Sequence, residues 1–257
     1  MKTGFLITAR LKSSRLKKKL LLPFGSENYI TQLVRRLKTS PYLQEIVICT
    51  SIDQEDDPLE NVAKKENIHC YRGDREDVIS RLNEARIEYG LDYVINMTAD
   101  CPLVPVELIP HMIDQFKKSN ADLIHIFDMP IGLYLSGLNP KAMEKIVSRK
   151  NDGFTEYWLY YFLKTDLFNV QHLGEEYIGK IEKKDYRVAL DYPEDHEFFT
   201  ALHKLYGDGL FTATAKEIIA FLDNHSEIAN INLHCTELGK QRTSNDPASN
   251  VSLKNGC

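Results

Sequence analysis

Gly4-Phe5-Leu6-Ile7-Thr8-Ala9-Arg10-Leu11-Lys12-Ser13-Ser14-Arg15-Leu16-Lys17-Lys18-Lys19-Leu20 passes from a short apolar run into a segment loaded with cations. The first acidic residue of the chain, Glu27, comes only after Lys2, Arg10, Lys12, Arg15, Lys17, Lys18 and Lys19, although the formal net charge of the whole is -5. Residues 4–8 read as a strand. A strand opening into concentrated positive charge, in an otherwise acidic protein, predicts a site for a compact polyanion such as a nucleoside triphosphate. The same run also reads as a solvated lysine-rich loop, and composition leaves both readings standing. Leu11, Leu16 and Leu20 make a poor helical stripe. The spacing of a Walker P-loop is absent, and so is a dinucleotide fingerprint, since no glycine stands between Gly4 and Gly25. Phosphate would therefore have to be held by side chains: guanidinium forks on Arg10 and Arg15, ammonium groups on Lys12 and Lys19.

Outward from this run, strand-like and helix-like segments alternate. Residues 45–50, 69–72, 93–98 and 122–127 read as short strands, the first of them apolar. Between them, residues 29–38, 59–66, 77–89 and 106–118 carry apolar residues at helical spacing. Pro58 suits the first turn of the second helix, and Gly90 the end of the third. The rhythm predicts an α/β fold with a doubly wound, mostly parallel sheet of Rossmann-like type. Ligands of such sheets lie outside the carboxyl ends of the strands, so the loops after Thr8, Thr50, Arg72 and Thr98 are expected to face one crevice. Beyond residue 128 the pattern changes. Strands are expected at 132–137, 168–173 and 186–190, and helices at 141–148, 194–205 and 215–222. Residues 154–162 hold Phe154, Tyr157, Trp158, Tyr160, Tyr161 and Phe162, which reads as core or subunit interface. One domain is expected over residues 1–235, with an acceptor and dimerisation subregion at about 130–185. A polar, disordered tail is expected from 236 to 257.

Composition narrows the function. An apolar share of 43% and a charged share of 27% are ordinary for a soluble globular protein. Net acidity argues against a general nucleic-acid binder. No run approaches the roughly 18–20 apolar residues that span a membrane. The apolar stretch at the N-terminus is too short for a secretory signal, so a cytoplasmic location is expected. Cys49, Cys70, Cys101, Cys235 and Cys257 form no C-x-x-C pair, which suggests free thiols rather than zinc or disulfides.

Two aspartates follow expected strands. Asp100, in Thr98-Ala99-Asp100-Cys101-Pro102, would point into the crevice, where it could hold Mg²⁺ with substrate phosphates. It also reads as a turn residue. Asp191 reads equally as a crevice carboxylate or as the N-cap of a helix, in a capping box with Glu194. In Arg72-Gly73-Asp74-Arg75-Glu76-Asp77, Asp74 and Asp77 read as capping residues, while Arg72 and the helix N-terminus could face a base or ribose.

Taken together these segments resemble the cytidylyltransferase family that activates acidic sugars, which includes the acylneuraminate and Kdo enzymes, and most closely its spore-coat polysaccharide branch. The resemblance rests on Ala9-Arg10, Ser13, Arg15-Leu16 and Lys19-Leu20 in the basic run, and on Thr50-Ser51 and Asp56-Asp57-Pro58. It continues through Arg72-Gly73 with Asp77-Val78, Asp100-Cys101-Pro102-Leu103, and Leu190-Asp191 with Pro193-Glu194-Asp195. It spans residues 4–206. It implies transfer of CMP from CTP to a sugar acid or related small acceptor, with Arg15, Lys19 and Asp100 catalytic. Arg10, Arg15 and Lys19 would grip the triphosphate. Thr8, Ala9, Arg72 and Asp77 would face the cytidine, Asp100 and Asp191 would bind Mg²⁺, and the protein would be a homodimer. Two departures stand out. Lys17-Lys18 replaces the family's Pro-Gly, and Asp152-Gly153-Phe154-Thr155-Glu156 stands where the branch often has E-H-V-T-P. Two other functions fit parts of the pattern: a nucleotide-sugar-dependent glycosyltransferase, which would need a D-x-D motif that the Asp100 segment lacks, and a non-catalytic nucleotide-binding module. Arg149, Arg187 and Lys141 are further cations that could meet an acceptor carboxylate.

Overall fold

The computed structural model describes residues 1–151, 153–173 and 184–254. Among these, one seven-stranded sheet organises the chain, in the order β5-β4-β1-β6-β8-β7-β9. Its strands are β1 (Thr3–Thr8), β4 (Glu45–Ser51), β5 (His69–Gly73), β6 (Tyr93–Thr98), β7 (Leu123–His125), β8 (Ser136–Leu138) and β9 (Val170–His172). Every pairing is parallel except those of β8, which runs against both β6 and β7. A small antiparallel pair, β2 (Pro23–Phe24) and β3 (Glu27–Asn28), follows the basic run. The mostly parallel, doubly wound α/β architecture expected from the alternation is therefore present.

Strand alternation divides the core into two layers. Phe5, Ile7, Ile48, Tyr93 and Ile95 face α1 (Tyr29–Leu37), α2 (Asp57–Lys65), α4 (Ile109–Ser119), α7 (Pro193–Tyr206) and α8 (Ala215–Asp223). Leu6, Val47, Cys49 and Val94 face α3 (Val78–Glu88), α5 (Pro140–Arg149) and α6 (Leu159–Leu163). A strand buried on both faces is apolar at successive positions, which explains why β1 and β4 read as continuous hydrophobic runs. Helix starts are set by short polar side chains. Asn28 accepts the Thr31 N–H at 2.9 Å, and Asn139 accepts that of Lys141 at 3.0 Å.

Several expectations are corrected here. Residues 186–190 form no strand; Arg187 makes one isolated parallel bridge with Ile131. Gly132, at φ +93°, permits that approach, since a Cβ there would lie 1.9 Å from the Val188 carbonyl oxygen. The aromatic stretch yields only the short α6, and Trp158, Tyr161 and Phe162 are buried within this chain's own second core layer. After α9 (Ser226–Ala229), the segment expected as a disordered tail instead holds α10 (Cys235–Asn245) and a 3-10 turn at Pro247–Ser249. Its polar residues find partners on the segments just before and just after α6. Tyr157 donates to Asp246 at 3.0 Å, and Lys164 to the Ser249 carbonyl at 2.9 Å. Asn151 donates to Ser252 at 2.7 Å. Asp152, residues 174–183 of the expected acceptor subregion, and Cys257 lie outside the described residues.

Candidate active site

The strand order turns between β1 and β6, and a cavity of about 350 Å³ opens at their carboxyl ends. This is where a doubly wound sheet leaves room for a ligand. Thr8, Ala9, Arg10, Lys12, Arg15 and Lys19 line it from the basic run, and Thr98, Ala99 and Asp100 from the end of β6. Arg75 and Glu76 enter from the loop before α3, and Glu156, Trp158, Asp191 and Arg242 complete the lining.

The basic run is a shaped loop. Asp56, 2% exposed, accepts the backbone N–H of Leu11 at 2.6 Å through one carboxylate oxygen and the Ser51 hydroxyl at 2.5 Å through the other. Asn96 donates to the Thr8 hydroxyl at 3.0 Å and fixes the end of β1. The loop closes in a 3-10 turn, Lys19–Leu21, entered through Lys18 at φ 51°, ψ 32°. This left-handed conformation is one that glycine adopts freely and lysine does not. Lys18 thus holds, without a glycine, a backbone shape that glycine favours, and the run is a loop closed by a single 3-10 turn.

That turn aims Lys19 inward. Its ammonium lies 2.8 Å from Asp100 Oδ2 and 2.8 Å from Asp191 Oδ1. Burial pulls the Lys19 pKa down, but the two carboxylates outweigh it and the net shift is upward. Arg15 also bonds Asp191 Oδ1, at 2.5 Å, while Arg187 donates to Asp191 Oδ2 at 2.8 Å. Burial raises the Asp191 carboxyl, yet Lys19, Arg15 and Arg187 together hold it well below the usual carboxylate range. The Tyr192 ring is in cation-π range of two guanidinium groups, 5.1 Å from Arg15 and 5.6 Å from Arg187. Asp100 is steadied by the Thr98 hydroxyl at 2.5 Å. Cys101 beside it is buried, and burial with the Asp100 charge pushes its thiol well up, so it stays protonated.

Asp191 does not cap α7. Asp195 Oδ2 accepts the backbone N–H groups of Asp191 at 2.7 Å and Tyr192 at 2.9 Å. The cap lies one residue beyond the Asp191–Glu194 pair, which leaves the Asp191 side chain in the cavity. Arg187 is buried between Asp191 and Asp195, so it braces the site.

Of the residues singled out in the sequence, Thr8, Ala9, Arg10, Arg15, Lys19, Asp100 and Asp191 converge on the cavity. Arg72 and Asp77 do not line it. Arg72 is occupied by Asp57 at 2.7 Å, Glu60 at 3.2 Å and the Asp53 carbonyl at 2.8 Å. Asp77 is the N-cap of α3, accepting from Ser80 and Thr155 and pairing with Lys150. Their neighbours Arg75 and Glu76 take the cavity positions. Besides Arg75 and Glu76, Asp56 and Arg242 carry no functional reading in the sequence. Asp56 stands there only within the Asp56-Asp57-Pro58 motif, though an acid two residues before a helix-starting proline signals a buried acceptor or cap. Arg242 had no signal, because it lies in the polar tail.

Comparison with known proteins accords with this geometry. Over 232 residues the chain is 30% identical to the spore coat polysaccharide biosynthesis protein SpsF of Bacillus subtilis, covering 88% of this chain and 95% of that one. It is 33% identical over 106 residues to the 3-deoxy-manno-octulosonate cytidylyltransferase of Francisella philomiragia, covering 40% of this chain and 41% of the relative. A cytidylyltransferase structure from Leptospira borgpetersenii superposes with a TM-score of 0.81 at 25% identity, covering 89% of this chain and 97% of that one. The model of the cytidylyltransferase family matches residues 5–222, a span holding every strand of the sheet from Phe5 onward and both aspartates that meet Lys19. The chain is a member of the cytidylyltransferase family.

Proposed function

We propose that the protein transfers CMP from CTP to a sugar acid or related small acceptor in the making of surface polysaccharide precursors, with Mg²⁺ as cofactor. The observation that carries this reading is the Lys19 ammonium held between Asp100 and Asp191 at the mouth of β1 and β6. Two carboxylate oxygens converging on one cationic point form a hard oxygen set of the kind that suits Mg²⁺, which takes one or two carboxylates plus water and phosphate. Asp100 and Asp191 would hold the ion. When bound, Mg²⁺ supplies charge neutralisation at the phosphates. Arg15 and Lys19 then serve the triphosphate, and Arg10 and Lys12 reach it from the same loop. An acceptor oxygen attacks the α-phosphorus in line, the bond to the bridging oxygen of the β-phosphate breaks, pyrophosphate leaves, and the acceptor proton passes to water. The chain's task is to align nucleophile and leaving group, a contribution of about 7–11 kcal/mol in well-oriented reactions.

CTP is a cytoplasmic metabolite, and we place the enzyme there. We read it as a homodimer, as the family resemblance implies; a monomer mass by light scattering would remove that part. The decisive experiment is a thermal-shift screen of CTP against ATP, GTP and UTP, with and without Mg²⁺, followed by pyrophosphate release with 3-deoxy-manno-octulosonate. CTP with Mg²⁺ should raise the melting temperature most. A clear preference for another nucleotide overturns the cytidylyl assignment.

A further inference from the structure

The cavity has a second cluster of charge, away from Lys19. Arg10 donates to the Arg75 carbonyl at 3.0 Å and lies 3.5 Å from Glu156 Oε2. Arg242, from α10, lies 3.7 Å from Glu156 Oε1. One carboxylate thus sits between two guanidinium groups that the fold brings together from opposite ends of the sequence. Both distances exceed the roughly 2.7–2.9 Å of a tight charge-assisted bond. The Arg242 side chain is 48% exposed and that of Glu156 34%, so water screens the contact and it is cheaply exchanged. Meanwhile the segment that directly follows α10 is tied down by other bonds, those of Tyr157 with Asp246 and Lys164 with Ser249. The arginine is therefore presented to the cavity, not needed to anchor the helix. It also lies outside residues 5–222, the span shared with the family.

We propose that Arg242 is a substrate-binding residue. With Arg10 it takes an anionic group, a CTP phosphate or an acceptor carboxylate, in the seat that the Glu156 carboxylate fills here. Glu156 acts as an internal counter-ion that the substrate displaces. This inference rests on the CTP reading above. It also assigns a role to the tail, whose composition gave none.

The test is calorimetric titration of the full chain, with Mg²⁺ present, using CTP, CMP, pyrophosphate and 3-deoxy-manno-octulosonate. Arg242→Ala should weaken at least one probe about tenfold, the scale of a lost hydrogen bond to a charged group. Loss with CTP and pyrophosphate but not CMP marks the β- and γ-phosphates as its partner. Loss with the sugar acid alone marks the acceptor. Arg242→Lys should recover part of the loss. Glu156→Gln should tighten the same probe, an effect that a merely structural Arg242 would not produce. Wild-type CTP binding with every probe within twofold in Arg242→Ala overturns this inference and leaves the CTP reading intact. A wild-type chain that binds no cytidine nucleotide overturns both.

Discussion

Asp195 accepts the backbone N–H of Asp191 at 2.7 Å, and this bond is what frees the Asp191 carboxylate to meet Lys19. Asp195 is fully buried and also grips Arg187 at 2.8 Å. Asp195→Ala would take from the buried Arg187 guanidinium one of its two carboxylate partners and unseat the other, Asp191, so a loss of about 3–5 kcal/mol is expected. Urea denaturation measures it. Asp195→Asn, which keeps an acceptor, should lose less, and equal losses in the two variants would contradict the capping role.

Lys19 links both aspartates, and its replacement should act on turnover. Lys19→Ala is expected to lower kcat for pyrophosphate release by about 10²–10³, the scale of removing one preorganised charge-stabilising donor. Lys19→Arg should recover little, because a planar fork cannot place one point charge between two carboxylates. Steady-state kinetics with CTP decide this, and near-normal kcat in Lys19→Ala would refute the clamp.

Lys18 carries a backbone cost that glycine would not. Lys18→Gly is expected to stabilise the fold by up to about 1 kcal/mol, the left-handed penalty of about 1–2 kcal/mol being partly offset by glycine's greater freedom when unfolded. A melting-temperature rise of about 2–4 °C should report it, and Lys18→Val should move the other way. A fall on Lys18→Gly would mean that the side chain itself stabilises the loop.

Acid should weaken the fold in two stages. Burial presses the His125 pKa down to about 4, so its neutral form is favoured in the native state. Stability from that group is complete above the unfolded value of about 6.5 and is lost as pH falls toward about 4, at up to about 1.4 kcal/mol per pH unit. Asp191, held below its usual range, adds its loss only below the unfolded aspartate value of about 3.9. Lys19, shifted upward, keeps its contribution below about 10.4 and surrenders it in stronger alkali. Chemical denaturation across pH checks the order. Asp191→Asn should blunt the lower acid stage and spare the upper one.

The sequence disclosed most where local pattern and tertiary role coincide. The alternation through residues 4–127 placed β1 and β4, which are apolar throughout because they are buried on both faces, and the strands that follow them at regular spacing. Basic loop and acidic strand ends could be paired because both sit at carboxyl ends of the sheet. What stayed hidden depends on contacts between distant segments. Nothing near Asp191 shows that Asp195 wins the cap, since both are acidic and near Pro193. Nothing in residues 235–254 forecasts order, because Asp246 and Ser249 find their partners about ninety residues earlier, on Tyr157 and Lys164. Arg72 looked available until the acids on α2 were seen to surround it.

Asp56 holds the Leu11 backbone N–H, not the Leu11 side chain. The tether is thus inherited through one codon only. Every residue but proline at position 11 offers the same N–H, so variation there, proline apart, neither breaks the bond nor rescues its loss. Compensatory change cannot arise across the pair, and this anchor of the basic loop stands or falls with position 56.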